Sequence, residues 1–119
     1  MMDLNKPMAI FDFNEKATME AAGDKTFLGP AVDRDRILMT THCSVVNYEH
    51  KGTKMILGKR DAAGRDHYFK VAESNVTFHL TIAGHVVLEE GERPLGIVEG
   101  AAEGDQLFCT FHGHIYKTD

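Results

Sequence analysis

The stretch GHVVLEEGERPLGIVEGAAEGDQLFCTFHGHIY, residues 84–116, carries the clearest indication of fold in this chain. Short runs of β-branched and aromatic residues alternate there with glycine-containing turns, a composition that favours strands over helices. Turn signals about 8 to 12 residues apart are typical of a small β-sandwich or barrel. Within the run PLGIV, Leu95 and Ile97 alternate with Gly96, which leaves room for a close backbone approach.

The same pattern continues upstream as far as Arg36. We predict strands in the runs RILMT, SVVNYEH, TKMILGK, DHYFKVA, NVTFHLTI, HVVLEE, PLGIVE, QLFCTF and HIYK. The chain has 119 residues, of which 43% are hydrophobic and 26% charged, and this suits one globular domain. We therefore predict a mainly β, small single-domain fold of the sandwich or barrel-like type over residues 14–119.

The N-terminal segment MMDLNKPMAIFDF, residues 1–13, is predicted to be an extended arm. Pro7 disfavours helix in the residue before it, and apolar and polar side chains alternate after it. A segment this short cannot bury its own apolar side chains. It must therefore lie either on its own domain, as an edge strand, or on a partner protein.

One short helix is predicted in NEKATMEAAG, residues 14–23. Asn14 can cap its N-terminus, Glu15 suits the positive end of the helix dipole, and Gly23 can end it. A helix of so few turns depends on packing for its stability. A loop through GPAVDRDR follows.

The charge distribution argues against nucleic acid as a partner. The net charge is −5, and the densest positive segment, HKGTKMILGKRDAAGR, contains two glycine turns that predict solvated hairpin ends. No signal peptide and no apolar run of the roughly 18 residues needed for a membrane span is visible. We expect no nucleic acid, no membrane, and synthesis in a reducing cytosol with Cys43 and Cys109 as free thiols.

The segment CTFHGH places Cys109, His112 and His114 close together in sequence, as in a metal site. On a strand, however, Leu107, Cys109 and Phe111 share one face, whereas His112 lies on the other. Without a Gly-x-Ser-x-Gly elbow or convergent carboxylates, we predict no enzyme activity, no metal and no cofactor. A small metal-binding β protein or enzyme that uses these three residues remains the alternative.

The C-terminal third also carries a family resemblance. A Gly-Ile pair and an Ala-Ala pair lead into a strand of alternating Thr and Phe, which is followed by a glycine and an aromatic tail; the matching positions are Gly96, Ile97, Ala101, Ala102, Phe108, Thr110, Phe111, Gly113 and Tyr116. This arrangement resembles the small head decoration, or cement, proteins of tailed bacteriophages, the lambda-type family. The resemblance is good over roughly the last 35 residues, and in the rest of the chain only the general arrangement is similar.

The resemblance implies a structural protein, usually a homotrimer, that is made in the host cytoplasm and binds the outer surface of the expanded capsid in the virion. Its partners would be the major capsid protein and other copies of itself. The expected capsid contacts lie in the arm, at Met8, Ile10, Phe11 and Phe13. The expected subunit contacts are Pro94, Leu95, Gly96, Ile97, Ala101 and Ala102.

A third interpretation is a spike-tip protein of the PAAR type. The segment GERPLGIVEGAAEGDQLFCTFHGH is similar to the glycine-rich turns of that family, which bear Cys and His. That family repeats its motif along the chain, whereas this sequence contains it once, and this counts against the assignment.

Overall fold

A computed structural model describes residues 7–49, 54–73 and 78–118. This part of the chain contains eight strands and no helix. The strands are β1 (Ala9–Thr18), β2 (Gly23–Leu28), β3 (Arg36–Asn47), β4 (Lys54–Arg60), β5 (Asp66–Glu73), β6 (His79–Leu88), β7 (Arg93–Ala101) and β8 (Gln106–Lys117). Within this part of the chain there is also no helix long and apolar enough to cross a membrane.

The strands form two four-stranded sheets in which every neighbouring pair is antiparallel. Sheet A has the order β1-β8-β3-β6, and sheet B has the order β2-β7-β4-β5. In both sheets, strands from the first half of the chain alternate with strands from the second half, which is the topology of a double-sheet jelly roll. The prediction of a small, mainly β sandwich is therefore confirmed.

The core lies between the two sheets and is filled by alternate residues of their strands. In β8, the side chains of Leu107, Cys109 and Phe111 point inward and are almost completely buried, as the alternation in QLFCTF predicts. Phe27 of β2 and Leu57 of β4 meet them in the same cluster from sheet B. A smaller cluster at one end of the sandwich is formed by Val32, Leu38 and Leu88.

The two sheets come unusually close at Gly96. A Cβ atom at this position would lie 2.6 Å from the sulfur of Cys109 in the opposite sheet, and 3.8 Å from the Val45 Cβ. The sulfur therefore occupies the space that a side chain on residue 96 would need. The close approach that the sequence predicts for a backbone at Gly96 is made instead by a side chain, the Cys109 sulfur of sheet A.

The predicted helix at residues 14–23 is wrong. Residues 14–18 continue β1, residues 19–22 form the turn, and β2 begins at Gly23. Asn14 does not cap a helix; its Oδ1 accepts a hydrogen bond from the Thr110 hydroxyl at 2.7 Å. Pairing with β8 gives every backbone group on one side of β1 a partner from a distant segment, and this outweighs the weak local preference for helix.

The arm boundary predicted at residue 13 falls inside β1, and residues 1–6 of the arm lie outside the described part of the chain. Residues 9–13 pair with β8 in an unbroken register that extends to Thr18. Phe11 and Phe13 pack against the core. The described part of the arm is therefore extended, and it lies on its own domain as an edge strand.

A buried polar pair fixes the turn between β7 and β8. The Asn47 amide donates a 2.8 Å hydrogen bond to Asp105 Oδ2, and the Ala102 backbone N–H donates to the same oxygen at 2.8 Å. Both side chains are completely buried. Because an unpaired buried carboxylate is costly, these donors hold the start of β8 against the end of β3.

The contact between Gly96 and Cys109 can be tested with a double-mutant cycle. Gly96→Ala should lower the free energy of unfolding by about 1–3 kcal/mol, because the new methyl group overlaps the sulfur. Cys109→Ala removes the sulfur and should cost about 1 kcal/mol through the small cavity. With alanine at both positions the new Cβ faces the Cys109 Cβ position at 3.7 Å, an ordinary contact. The double variant should therefore be more stable than the sum of the single effects predicts, as measured by urea unfolding; strict additivity would contradict this account.

Candidate binding surface

The N-terminal half of β1 is the most exposed apolar segment of the described chain. β1 lies at one edge of sheet A, and its only neighbour among the described strands is β8. Ile10 projects from the outer face of the sheet and is 73% exposed, and Met8, just before the strand, is 50% exposed. A sheet edge with unpaired backbone groups and apolar side chains is a template for pairing with another chain.

Three of the four predicted capsid-contact residues lie in β1, on opposite faces. Ile10 lies on the outer face, whereas Phe11 and Phe13 lie on the inner face and are partly buried against the core; Met8 precedes the strand and is 50% exposed. Any contact with a partner through these side chains is therefore made chiefly by Met8 and Ile10. Phe11 and Phe13 hold the strand on the domain.

The second half of β1 differs from the first in its charges. Glu15 pairs with Cys109 and so lies on the inner side of the sheet edge, while Lys16 is exposed on the outer side. An inward-pointing charge at an edge strand discourages pairing with another strand. The part of the edge available for pairing is thereby limited to residues 9–13.

A cleft opens beside the start of β1. It has a volume of about 320 Å³ and lies between β1, the segment 30–33 and the first residues of β3. Met8, Phe11, Leu38 and Ile115 give it a mainly apolar lining. The side chain of Arg36 also lines it, and no carboxylate among the described residues forms an ion pair with that guanidinium.

A polar network on the outer face of sheet A joins β1 to β8. The Thr110 hydroxyl donates to Asn14 Oδ1, and His112 Nε2 lies 2.8 Å from the hydroxyl and 3.0 Å from the same Oδ1. Because the hydroxyl donates to Asn14, the shared nitrogen must carry the proton and donate to these oxygens. It cannot accept the hydroxyl proton. Asp12 Oδ1 is 3.7 Å from the same nitrogen, so the network lacks the geometry of a nucleophile activated through histidine.

The three residues of the metal hypothesis lie on opposite sides of β8. Cys109 is completely buried between the sheets, whereas His112 and His114 are partly exposed on the outer face. Burial, reinforced by nearby Cys43 and Glu15, raises the pKa of the Cys109 thiol far above its usual range, which disfavours the thiolate that binds metal. No group of three or more His, Cys, Asp or Glu residues in the described ranges is arranged to hold a metal ion.

The positive segment around β4 is neutralised by ion pairs at the hairpin ends. Lys51 lies outside the described residues. The other four cations of the segment each face a carboxylate, in the pairs Lys54–Glu73 (3.7 Å), Lys59–Glu92 (2.8 Å), Arg60–Asp66 (2.7 Å) and Arg65–Asp61 (3.1 Å). The segment therefore presents mixed charges rather than a positive face for phosphate.

The six predicted subunit-contact residues lie on β7 and just after it, between β2 and β4 in sheet B. Four of these residues are buried within the protomer: Pro94, Leu95, Gly96 and Ala101. Ile97 and Ala102 are only partly buried. Contact with another subunit through this stretch is therefore confined to the solvent side of sheet B.

No protein-family model and no curated protein matches the chain. Among solved structures, it is similar to the Drosophila NLP core, whose structure was described in relation to pentamer formation and histone binding. The two sequences are 13% identical, the match covers 88% of this chain and 97% of that chain, and the TM-score is 0.40. The nucleoplasmin-like N-terminal domain of Drosophila FKBP39 shows 9% identity, coverage of 92% and 93%, and a TM-score of 0.42. PirA shows 9% identity, coverage of 94% and 100%, and a TM-score of 0.47. None of these values supports a transfer of function or assembly to this chain.

The β4–β5 turn makes a prediction about pH. The pKa of Asp61 is well below its usual range because of hydrogen bonding to His67, then to the backbone N–H groups of Arg65 and Ala63. A carboxylate with a depressed folded pKa stabilises the fold above its unfolded pKa of about 4, and this contribution is lost as the pH falls towards the folded value. Asp61→Asn should therefore lower the urea midpoint at pH 7 and flatten its decline between pH 5 and pH 2. Exposed Glu20→Gln is the control; parallel curves for Asp61→Asn and the parent protein would refute the prediction.

Proposed function

We propose that the protein is a structural binding module that attaches to a larger protein shell, as a decoration protein does on the expanded head of a tailed phage. The observation that carries this proposal is the exposed edge at residues 9–13 of β1, with the exposed side chains of Ile10 on its outer face and of Met8 just before it. The resemblance of the C-terminal third to head decoration proteins supplies the kind of shell.

Edge pairing is the mode of attachment that this surface favours. An extended segment of a capsid subunit could add to sheet A beside β1, so that backbone hydrogen bonds contribute affinity and side-chain pockets contribute specificity. The cleft lined by Met8 and Phe11 lies at the same end of β1, and it can receive one apolar side chain of that segment. Arg36 and Asp33 both line the cleft, so its lining carries one charge of each sign.

The packing of β1 on its own domain lowers the cost of such binding. Residues 9–13 are already held in strand conformation by β8, with Phe11 and Phe13 against the core. A partner therefore meets a preorganised edge and does not have to order a free arm. Repeated copies on one shell would add avidity, so each contact can be small. The net charge of −5 suits an exterior surface that avoids packaged nucleic acid.

Deletion of residues 1–13 is a poor test of this proposal, because it also removes Phe11 and Phe13 from the core. The sharper variant is Ile10→Lys, at a position that is 73% exposed. Losing the burial of this side chain should weaken binding about tenfold or more. Binding is measured by co-sedimentation with purified expanded heads of a tailed phage.

The matched control is Thr18→Lys, which places the same charge at an exposed position of β1 beyond the edge segment. It should bind like the parent protein, and circular dichroism should show both variants folded. Failure of the parent protein to bind these heads would reject the proposed shell. Undiminished binding by Ile10→Lys would reject the role of β1.

A further inference from the structure

The outer face of sheet B carries a second apolar surface, at the opposite side of the sandwich from the outer face of sheet A. Strand alternation and register place one set of side chains there, here called the apolar band: Leu28, Ile56, Tyr68, Val71, Leu95 and Ile97. Met55 and Leu57, the neighbours of Ile56 in β4, belong to the core cluster, and Ile56 does not. The band is therefore separate from the core.

The apolar band spans all four strands in two adjacent rows. One row runs Leu28, Leu95, Gly58, Tyr68, and the next runs Thr26, Ile97, Ile56, Val71. At its centre, Leu95 and Ile56 are 0% and 1% exposed. Tyr68 and Val71 remain 51% and 41% exposed. Leu95 and Ile56 are thus already buried within the protomer, and the apolar surface that a partner can cover is provided by Tyr68 and Val71, with smaller contributions from the partly buried Leu28 and Ile97.

A charged row borders the band on each side. The row beyond Ile56 contains one cation and two anions, Lys54, Glu73 and Glu99. The row beyond Gly58 contains two cations and one anion, Arg60, Arg93 and Asp66. One border is therefore net negative and the other net positive, so the face is electrostatically polarised along the strand direction.

The central strand β7 shows this polarity within four alternate residues. Its outward positions are Arg93, Leu95, Ile97 and Glu99, with a cation at one end and an anion at the other. Arg93 Nε donates to the Gly29 carbonyl oxygen at 2.7 Å. Neither Arg93 nor Glu99 forms an ion pair within the described residues, whereas Lys54 and Arg60 in the same two rows do.

We propose that the outer face of sheet B binds a second copy of this chain, face to face, about a two-fold axis that crosses the strands at the level of Gly96. That rotation exchanges the two borders, so the negative row of each copy meets the positive row of the other. Arg93 then faces Glu99 of the second copy, and the exposed Tyr68 faces Val71 of the second copy. Sheets packed face to face are about 10 Å apart, a gap that an arginine and a glutamate can bridge together.

The charges select this arrangement over the other face-to-face two-fold. An axis parallel to the strands would set each charged row against the same row of the second copy, so that like net charges meet. An axis across the strands gives an isologous contact that closes at two copies. The dimer uses the face opposite sheet A and leaves β1 accessible, so it does not depend on the proposed capsid binding. It also differs from the trimer that the family resemblance implies.

The area of the outer face of sheet B limits the expected affinity of the dimer. Four strands about 4.8 Å apart and a span of six residues along β7 give a footprint of roughly 400 Å² on each copy. This is about half the roughly 800 Å² that each partner buries in a standard specific interface, and it falls in the range of weak, transient contacts. We therefore expect a reversible, concentration-dependent equilibrium between monomer and dimer rather than an obligate dimer.

Charge reversal tests the arrangement. By sedimentation equilibrium over a concentration series, Arg93→Glu and Glu99→Arg should each weaken dimerisation about tenfold or more, because each variant sets like charges against one another twice. The double variant Arg93→Glu/Glu99→Arg should regain most of the lost affinity. Glu103→Arg, which makes the same charge change on an exposed turn, is the control and should dimerise like the parent protein.

Val71→Lys provides a test that leaves the Arg93–Gly29 hydrogen bond untouched, and it should also weaken dimerisation. Circular dichroism confirms that each variant is folded. The proposal is overturned if the parent protein is monomeric throughout the series or forms a trimer. It is equally overturned if the folded double reversal stays as weak as the single ones, or if Val71→Lys dimerises normally.

Discussion

The packing of β7 in sheet B against β8 in sheet A depends on the close contact of Gly96 with the Cys109 sulfur. A side chain on residue 96 would need the space that the sulfur fills, so β7 and β8 can approach only because one of them lacks a Cβ atom there. With β8 held at this distance, its neighbour β1 covers the core with Phe11 and Phe13. Because successive side chains of a strand point to opposite faces, Ile10 then lies on the outer face, where a partner can reach it.

Much of the fold was predictable from local pattern, because a sandwich strand has to alternate. The inward set in QLFCTF and the strand at PLGIVE follow from period two alone. The error at residues 14–23 arose because Asn14 finds its partner, Thr110, almost the whole length of the chain away. The predicted separation of QLFCTF and HIYK into two strands is wrong, because β8 continues without interruption through Gly113. Residue 113 is glycine because a Cβ atom there would overlap the Met39 carbonyl of β3. A glycine required by a neighbouring strand looks the same in sequence as a glycine required by a turn.

The candidate surfaces were less predictable, since each depends on register. The alternation of Met8 and Ile10 with Phe11 and Phe13 divides the arm into two faces, but only pairing with β8 determines which face is buried. The apolar band on sheet B has no local signature at all. A bulge in β5 shifts the phase of that strand near Phe69, so Tyr68 and Val71 come to the same face although they are three residues apart. The separation of Cys109 from His112 and His114 did follow from the pattern, because nothing interrupts the pleat between them.

Because both thiols are buried between the sheets, their reactivity reports how often the sandwich opens transiently. Cys43 and Cys109 are free, completely shielded from solvent, and burial raises the pKa of each. A thiol reagent therefore reacts with them only in molecules whose layers have parted, and the rate of alkylation measures how often that happens. Both sulfurs lie on the inner face of sheet A, on β3 and β8. Their alkylation therefore measures the separation of the two sheets without an introduced cysteine or label.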